Sequence, residues 1–228
     1  MSRRILLILL LSLATAGLLA QAETDSLYFR PLEANEYTLD MMYSAELNRL
    51  MVQLDFSLPR ASLDPGAHYG VFLHREAILQ SLMVADSYST HYLVDSLLAV
   101  HFVPPLSKPE LVAPDSPAAW FGVTLPEFNS LPATVKIRLW YYIPVPPFSA
   151  EPGLISRTSI AAESFWYPRN LSRDCKVNLK LTTVPYMTLR VGELLVVYAD
   201  NPNGYARLHE MSFTDRAAQP YSLYLIKD

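Results

Sequence analysis

Prolines interrupt this chain too often for long helices to survive. Eighteen stand against seven glycines, clustered at Pro104-Pro105, Pro109, Pro114 and Pro117 and again at Pro144, Pro146 and Pro147. A proline inside a helix removes a hydrogen bond and clashes with the preceding turn, and inside a sheet it is confined to edges and strand ends. The chain is thereby restricted to short extended segments. What lies between the prolines has the two-residue period of half-buried strands.

Tyr37-Thr38-Leu39-Asp40-Met41 alternates, as does Leu50-Met51-Val52-Gln53-Leu54-Asp55-Phe56. The polar link from Ser44 to Asn48 makes the two runs a natural hairpin. Val71-Phe72-Leu73 follows the Asp64-Pro65-Gly66 turn as a third strand. Ile78 to Ala85 and Tyr88 to Val94 suggest a second hairpin turned at Asp86-Ser87, with Leu97 to Val103 extending the meander. Thr134 to Tyr141 is the cleanest case: Val135, Ile137, Leu139 and Tyr141 share one face, and Lys136 and Arg138 the other. Lys176 to Thr182 points Val177, Leu179 and Leu181 inward. Leu194 to Tyr198 and Tyr221 to Ile226 complete the set, with Asn201-Pro202-Asn203-Gly204 as a turn. A short helix near Arg75 to Leu79 is compatible with the pattern, and 104–118 reads as a long surface loop. The expected fold is all-β, an antiparallel β-sandwich or large twisted sheet of many short strands.

The N-terminus predicts export. Arg3 and Arg4 precede an apolar run from Ile5 to Ala20, and Ala20-Gln21-Ala22 offers the small-x-small pattern of a signal-peptidase site. The run is short for a bilayer span, which takes roughly 20 residues. The organisation expected is a signal peptide over 1–22, an N-terminal segment over 23–34 and a single β-domain over 35–228. The mature protein is expected in the periplasm or outside the cell, with no stable membrane insertion after cleavage. The formal net charge is −4, without a basic stripe, which argues against a nucleic-acid partner. Cys175 is the only cysteine, so no disulfide within the chain can form, and a core of this size needs none.

Catalytic motifs are missing from the pattern. His68, His74, His91, His101 and His209 form no metal-ligand spacing. His209-Glu210 opens like a zinc-protease helix, but Phe213 stands where the second imidazole is needed. No G-x-S-x-G elbow and no phosphate-cradling glycine loop occurs. No cofactor and no metal is expected. The aromatic clusters Trp140-Tyr141-Tyr142 and Phe165-Trp166-Tyr167-Pro168 could form a stacking platform or belong to the core, and the burial of large aromatics favours core. Asn170-Leu171-Ser172 matches a glycosylation acceptor, a triplet that also arises by chance.

Four stretches, taken in order, resemble one family's accessory domain. They are Tyr37 to Phe56; Val71-Phe72-Leu73-His74 with Ile78 to Val84; Leu125-Pro126 with Val135 to Tyr142; and Phe165-Trp166-Tyr167-Pro168 followed by Val177 to Leu181, Val184-Pro185 and Gly192-Glu193-Leu194. Residues 35–227 are similar to the N-terminal β-domain of the aminopeptidase N-type (gluzincin) zinc metallopeptidases. The resemblance implies that a catalytic domain with G-x-M-E-N and H-E-x-x-H would follow, yet the sequence ends at Asp228, and no zinc ligand or catalytic residue of the family has a counterpart in it. In those enzymes the β-domain shapes the substrate cleft and can contact the peptide's amino end. Glu163 is the nearest acidic candidate for such a contact.

The expectation is an exported, non-catalytic β-domain that binds a peptide, a protein or a cell-envelope component through strand edges and aromatic loops. Glu163, Trp166, Tyr167, Trp140 and Tyr142 are the candidate contacts. The alternatives are an accessory subunit or remnant of a zinc metallopeptidase whose catalytic chain is separate, and a structural subunit of a surface assembly.

Overall fold

The computed structural model describes residues 28–94, 101–102, 106, 111, 113, 116, 118–145, 157–160, 165–217 and 221–227. The signal peptide expected over 1–22 lies outside them. Among the described residues seventeen strands are formed: β1 (Tyr28–Pro31), β2 (Glu36–Ser44), β3 (Arg49–Pro59), β4 (His68–His74), β5 (Ile78–Val84), β6 (Ser87–Ser89), β7 (His91–Val94), β8 (His101–Phe102), β9 (Ala118–Val123), β10 (Thr134–Pro144), β11 (Arg157–Ile160), β12 (Cys175–Thr183), β13 (Met187–Val191), β14 (Leu194–Leu195), β15 (Tyr198–Asp200), β16 (Arg207–Asp215) and β17 (Leu223–Lys227). The all-β expectation holds.

The largest sheet has eight strands in the order β15-β16-β12-β2-β3-β10-β5-β6. The expected hairpin is its centre, with Tyr37 opposite Phe56 and Leu39 opposite Leu54. β10 lies along β3 over eleven residue pairs, from Thr134↔Pro59 to Pro144↔Arg49. Alternation sends Val135, Ile137, Leu139 and Tyr141 inward, all at 2% exposure or less. β12 then pairs in parallel with β2, which alternation alone does not encode, so the sheet is mixed rather than purely antiparallel.

Two smaller sheets complete the core. Five strands run β7-β9-β4-β1-β8 and four run β11-β17-β13-β14. Val71, Leu73 and Phe121 from the first, and Leu189, Val191 and Leu225 from the second, join the main core with the inner face of the large sheet. β4 and β9 of the five-stranded sheet are buried on both sides: Phe72 and Trp120 face a second cluster with Phe102, Leu111, Phe165 and Leu171. Burial of this kind makes β4 and β9 near-continuous apolar runs instead of alternating ones. Gly70 allows the close approach, because a Cβ there would collide with the Trp120 ring and the Phe121 carbonyl.

Several expectations change in detail. The β5–β6 hairpin turns at Ala85 and Asp86, both at positive φ, one residue earlier than expected. The run to Val94 does not stay in that hairpin: β7 leaves the large sheet and pairs with β9. Leu97 to Val103 is not a continuation of a meander, since its described part, β8, pairs in parallel with β1. Arg75 and Glu76 form a turn, not a helix. Ala118, the end of the expected surface loop, is buried in β9.

Candidate functional site

The two aromatic clusters have opposite fates. Trp166 and Tyr167 are core, at 0% and 1% exposure. The Trp166 indole donates to the Tyr221 carbonyl at 3.0 Å, its own carbonyl accepts from the Tyr141 hydroxyl at 2.6 Å, and its ring meets Tyr167 edge-on. The segment they belong to is a strap. Arg169 donates to both carboxylate oxygens of Asp215 at 2.7 and 2.9 Å and to the Arg216 carbonyl at 2.6 Å. The Asn170 side chain donates to the Ala34 carbonyl and accepts from the amides of Ser172 and Arg173. Asn170 is thereby enclosed at 1% exposure, and its amide nitrogen is not available to a glycan in the folded domain.

Trp140 and Tyr142 lie on the outer face of the large sheet, as their parity with the inward residues of β10 requires. Both are half-buried. Trp140 donates to the Gln53 side chain at 3.0 Å, and the Arg138 guanidinium lies 5.4 Å from its ring centre. Tyr142 is covered by Arg49 at 4.4 Å. The register carries a partly exposed apolar row across this face, Met42, Met51, Tyr142 and Ile78 on four neighbouring strands. Of the five expected contacts, these two meet solvent. Trp166 and Tyr167 are corrected to core, because they hold the strap instead of facing outward. Glu163 lies outside the described residues.

Among the described residues, a run of exposed apolar side chains occurs where none was expected. β13 turns back at Gly192, whose positive φ and close contact with Tyr221 exclude a side chain. β14 then forms the last strand of the four-stranded sheet, pairing Leu194 with Val191 and Leu195 with Arg190. The Val196 amide donates to the Leu189 carbonyl at 2.9 Å, and its side chain is buried. Two residues later the same segment becomes β15, the first strand of the eight-stranded sheet, with Tyr198 opposite His209. Leu194–Asp200 therefore ends two sheets in turn, and its open side switches between them, because the backbone of Leu194 and Val196 turns to β13 while that of Ala199 and Asn201 turns the other way, to β16. Four of its large apolar side chains face water: Leu194 at 51%, Leu195 at 67%, Val197 at 82% and Tyr198 at 43%. Tyr205, in the turn after β15, is 85% exposed.

Side chains brace the edge from behind. The Arg207 guanidinium stacks on Tyr198 at 3.7 Å and donates to Asp200 at 2.9 Å and to the Met187 carbonyl at 3.0 Å. His209 meets the other side of this cluster, its ring 5.8 Å from Tyr198 and its Nε2 3.1 Å from the Thr183 hydroxyl. Proteins normally guard such edges with Lys, Pro or a bulge. The stretch Leu194–Asp200 contains neither Lys nor Pro.

The chemistry available elsewhere is limited. His209 is buried while Glu210 is exposed on the opposite face of β16, so the two cannot share a metal ion. Among the described residues no three His, Cys, Asp or Glu side chains converge on a metal position. Burial pushes the Cys175 thiol up to about 11, which keeps it protonated and unreactive at neutral pH. A cleft of about 500 Å³ opens between the Asp64–Tyr69 turn and Thr124–Phe128. Its Asp64 accepts from the Tyr28 hydroxyl and the Gly66 amide.

No protein-family model matches the sequence, and no curated protein matches it significantly. Solved structures do share the fold. The M1 zinc metallopeptidase from Deinococcus radiodurans superposes with a TM-score of 0.52 at 11% identity, covering 85% of this chain and 42% of that one. A mutant of the same enzyme bound to a Tyr-Ser-Ala substrate gives 0.52 at 13% identity over the same shares. Native yeast LTA4 hydrolase gives 0.50 at 7% identity, covering 85% of this chain and 28% of its own. The chain spans well under half of these proteins, and the fold it shares with M1 zinc metallopeptidases is that of one part of them, the N-terminal β-domain.

Proposed function

We propose that this chain is an exported β-domain that acts by binding, taking up an extended segment of a protein or peptide along the open side of β14 at Leu194–Val197. The observation that carries the reading is the edge itself: seven residues ending two sheets, rich in exposed aliphatic side chains and braced by Arg207 and His209. An added strand satisfies backbone groups that a sheet edge leaves open, and pockets beside alternate side chains supply selectivity. The basic start at Arg3 and Arg4, the apolar run Ile5 to Ala20 and Ala20-Gln21-Ala22 support export, with a partner in the cell envelope or beyond.

Val197→Lys tests the reading. The side chain is 82% exposed, so the substitution leaves the core intact while placing a charge where a guest strand would lie. Peptides of alternating apolar and polar residues bind the parent domain and lose at least about tenfold in affinity to the variant. Equal binding by a variant with an unchanged circular dichroism spectrum overturns the reading.

The shared fold supports a second reading. In it the domain is an accessory part of a zinc peptidase whose catalytic residues come from outside these 228. Purification from its native envelope then yields stoichiometric zinc and metal-dependent hydrolysis of peptides; a zinc-free preparation without hydrolysis counts against it.

A further inference from the structure

We infer that the cleft at the rim of the five-stranded sheet is a saccharide site, taking a neutral hexose whose ring substituents are all equatorial and whose apolar face stacks on Tyr92. The site is separate from the strand edge and takes a different class of ligand.

Two glycines make the floor. Gly70 and Gly122 stand opposite each other on β4 and β9, and Tyr92 of β7 stands opposite Gly122. With no side chains at either position, aromatic rings lie on the backbone instead. The Trp120 indole covers Gly70 and is itself fully buried. A Cβ on Gly122 would run into the Tyr92 ring, meeting Cζ first and then the Cε atoms on either side of it. That symmetric approach lays the phenol ring flat on the Gly122 backbone instead of edge-on. Glycine inside a strand often marks such a close approach. Tyr92 is still 39% exposed and lines the cleft of about 500 Å³, a volume in the range of small-molecule sites.

The polar groups around that ring suit hydroxyls. His68, Thr124 and Glu127 line the same cleft, and among the described residues no hydrogen bond engages their side chains. His68 is held by its stack on Phe29, with ring centroids 5.4 Å apart. An imidazole and a threonine hydroxyl both donate and accept, and a carboxylate accepts; a sugar hydroxyl answers all three, whereas an ammonium ion only donates. Asp64 adds no free charge, because Tyr28, Gly66 and Arg30 already engage its carboxylate. Among the described residues no lysine or arginine lines the cleft, so an acidic sugar finds no counter-charge and faces Glu127. A hexose with every substituent equatorial has only axial C–H groups on its ring faces and hydroxyls around its rim. It therefore presents an apolar face to the flat phenol ring and polar groups to His68, Thr124 and Glu127.

Saturation-transfer NMR on the purified protein tests this with methyl β-glucoside and methyl β-glucuronide, which differ only in oxidation of the exocyclic carbon. The glucoside receives saturation, more strongly at the axial protons of one ring face than at those of the other. The glucuronide binds about fivefold more weakly. Tyr92→Leu keeps apolar cover over Gly122 but offers no flat face, and it weakens the glucoside about tenfold; Tyr92→Phe leaves the affinity unchanged. Glu127→Ala, at an exposed position, weakens the glucoside about threefold without touching the core, and it decides the matter if Tyr92→Leu does not fold. Absence of saturation transfer to the glucoside overturns the inference. So does equal binding of the glucuronide, a glucoside affinity that survives in folded Tyr92→Leu, or one that Glu127→Ala leaves unchanged.

Discussion

Removing the carboxylate of Asp215 severs the strap that joins Phe165–Arg173 to β16, and its cost follows from burial. The Arg169 and Asp215 side chains are 2% and 0% exposed and meet through two parallel hydrogen bonds. In Asp215→Ala the guanidinium keeps its hydrogen bond to the Arg216 carbonyl, at 2.6 Å, but loses its carboxylate partner in a region that water does not reach. Breaking one side of a buried ion pair costs about 3–5 kcal/mol, against a total stability of about 5–15 kcal/mol for an ordinary domain. Urea unfolding followed by tryptophan fluorescence reads this directly, since Trp166 lies in the same segment. The paired replacement Arg169→Met with Asp215→Leu removes both charges and fills similar volume, so most of the lost stability returns. A loss below about 1 kcal/mol in Asp215→Ala refutes the argument. So does a double variant no more stable than the single one, because either result means that the lone buried cation was not the cause.

Cys175, with its thiol raised to about 11 by burial, stays unmodified by a maleimide at pH 8 in the native protein and reacts once urea unfolds it; fast native labelling disproves its placement. Asp64 is held below its ordinary value, first by the Tyr28 hydroxyl and then by the Gly66 amide. A lowered carboxylate contributes stability above its unfolded value that is lost as pH falls through the folded one. The acid limb of a pH–stability curve below about pH 4 therefore flattens in Asp64→Asn, and an unchanged limb denies Asp64 that role.

Strands with one wet face were legible from their period; of the two strands covered on both faces, β4 was read from Val71-Phe72-Leu73 and the turn before it, and β9 was not. β2, β3, β10 and β12 alternate because each shows a face to water; the period located all four and, for β10 and β12, gave the residues of the inward face. β4 and β9 are covered on both sides, so Phe72 and Trp120 on one face, and Val71 and Phe121 on the other, leave no period to detect. β13 and most of β16 went unassigned for a related reason. In β16, Arg207, His209 and Asp215 point inward as buried polar residues, and a hydrophobicity pattern scores them as outward. Sheet order is a matter of long-range pairing, so nothing in the sequence announces that β12 runs parallel to β2 or that β7 crosses to β9.

The candidate contacts divide along the same line. Trp140 and Tyr142 alternate with Leu139, Tyr141 and Ile143, so their outward direction follows from parity once β10 is recognised. Trp166 and Tyr167 belong to an irregular segment in which parity has no meaning. Only the partners at Tyr141, Tyr221 and Tyr37 decide that both rings are core. The apolar edge is the reverse case. Leu194-Leu195-Val196-Val197-Tyr198 has the composition of a strand buried on both faces, and composition carries no record of which strand ends a sheet. Its exposure comes from pairing: β13 takes one side of β14, β16 takes one side of β15, and among the described strands no other pairs with the opposite side of either. An apolar run that looks like core and occupies an edge is a local sequence at odds with its global position. Such a conflict is relieved when another strand covers it, and that is the physical reason to seek this chain's function at Leu194–Val197.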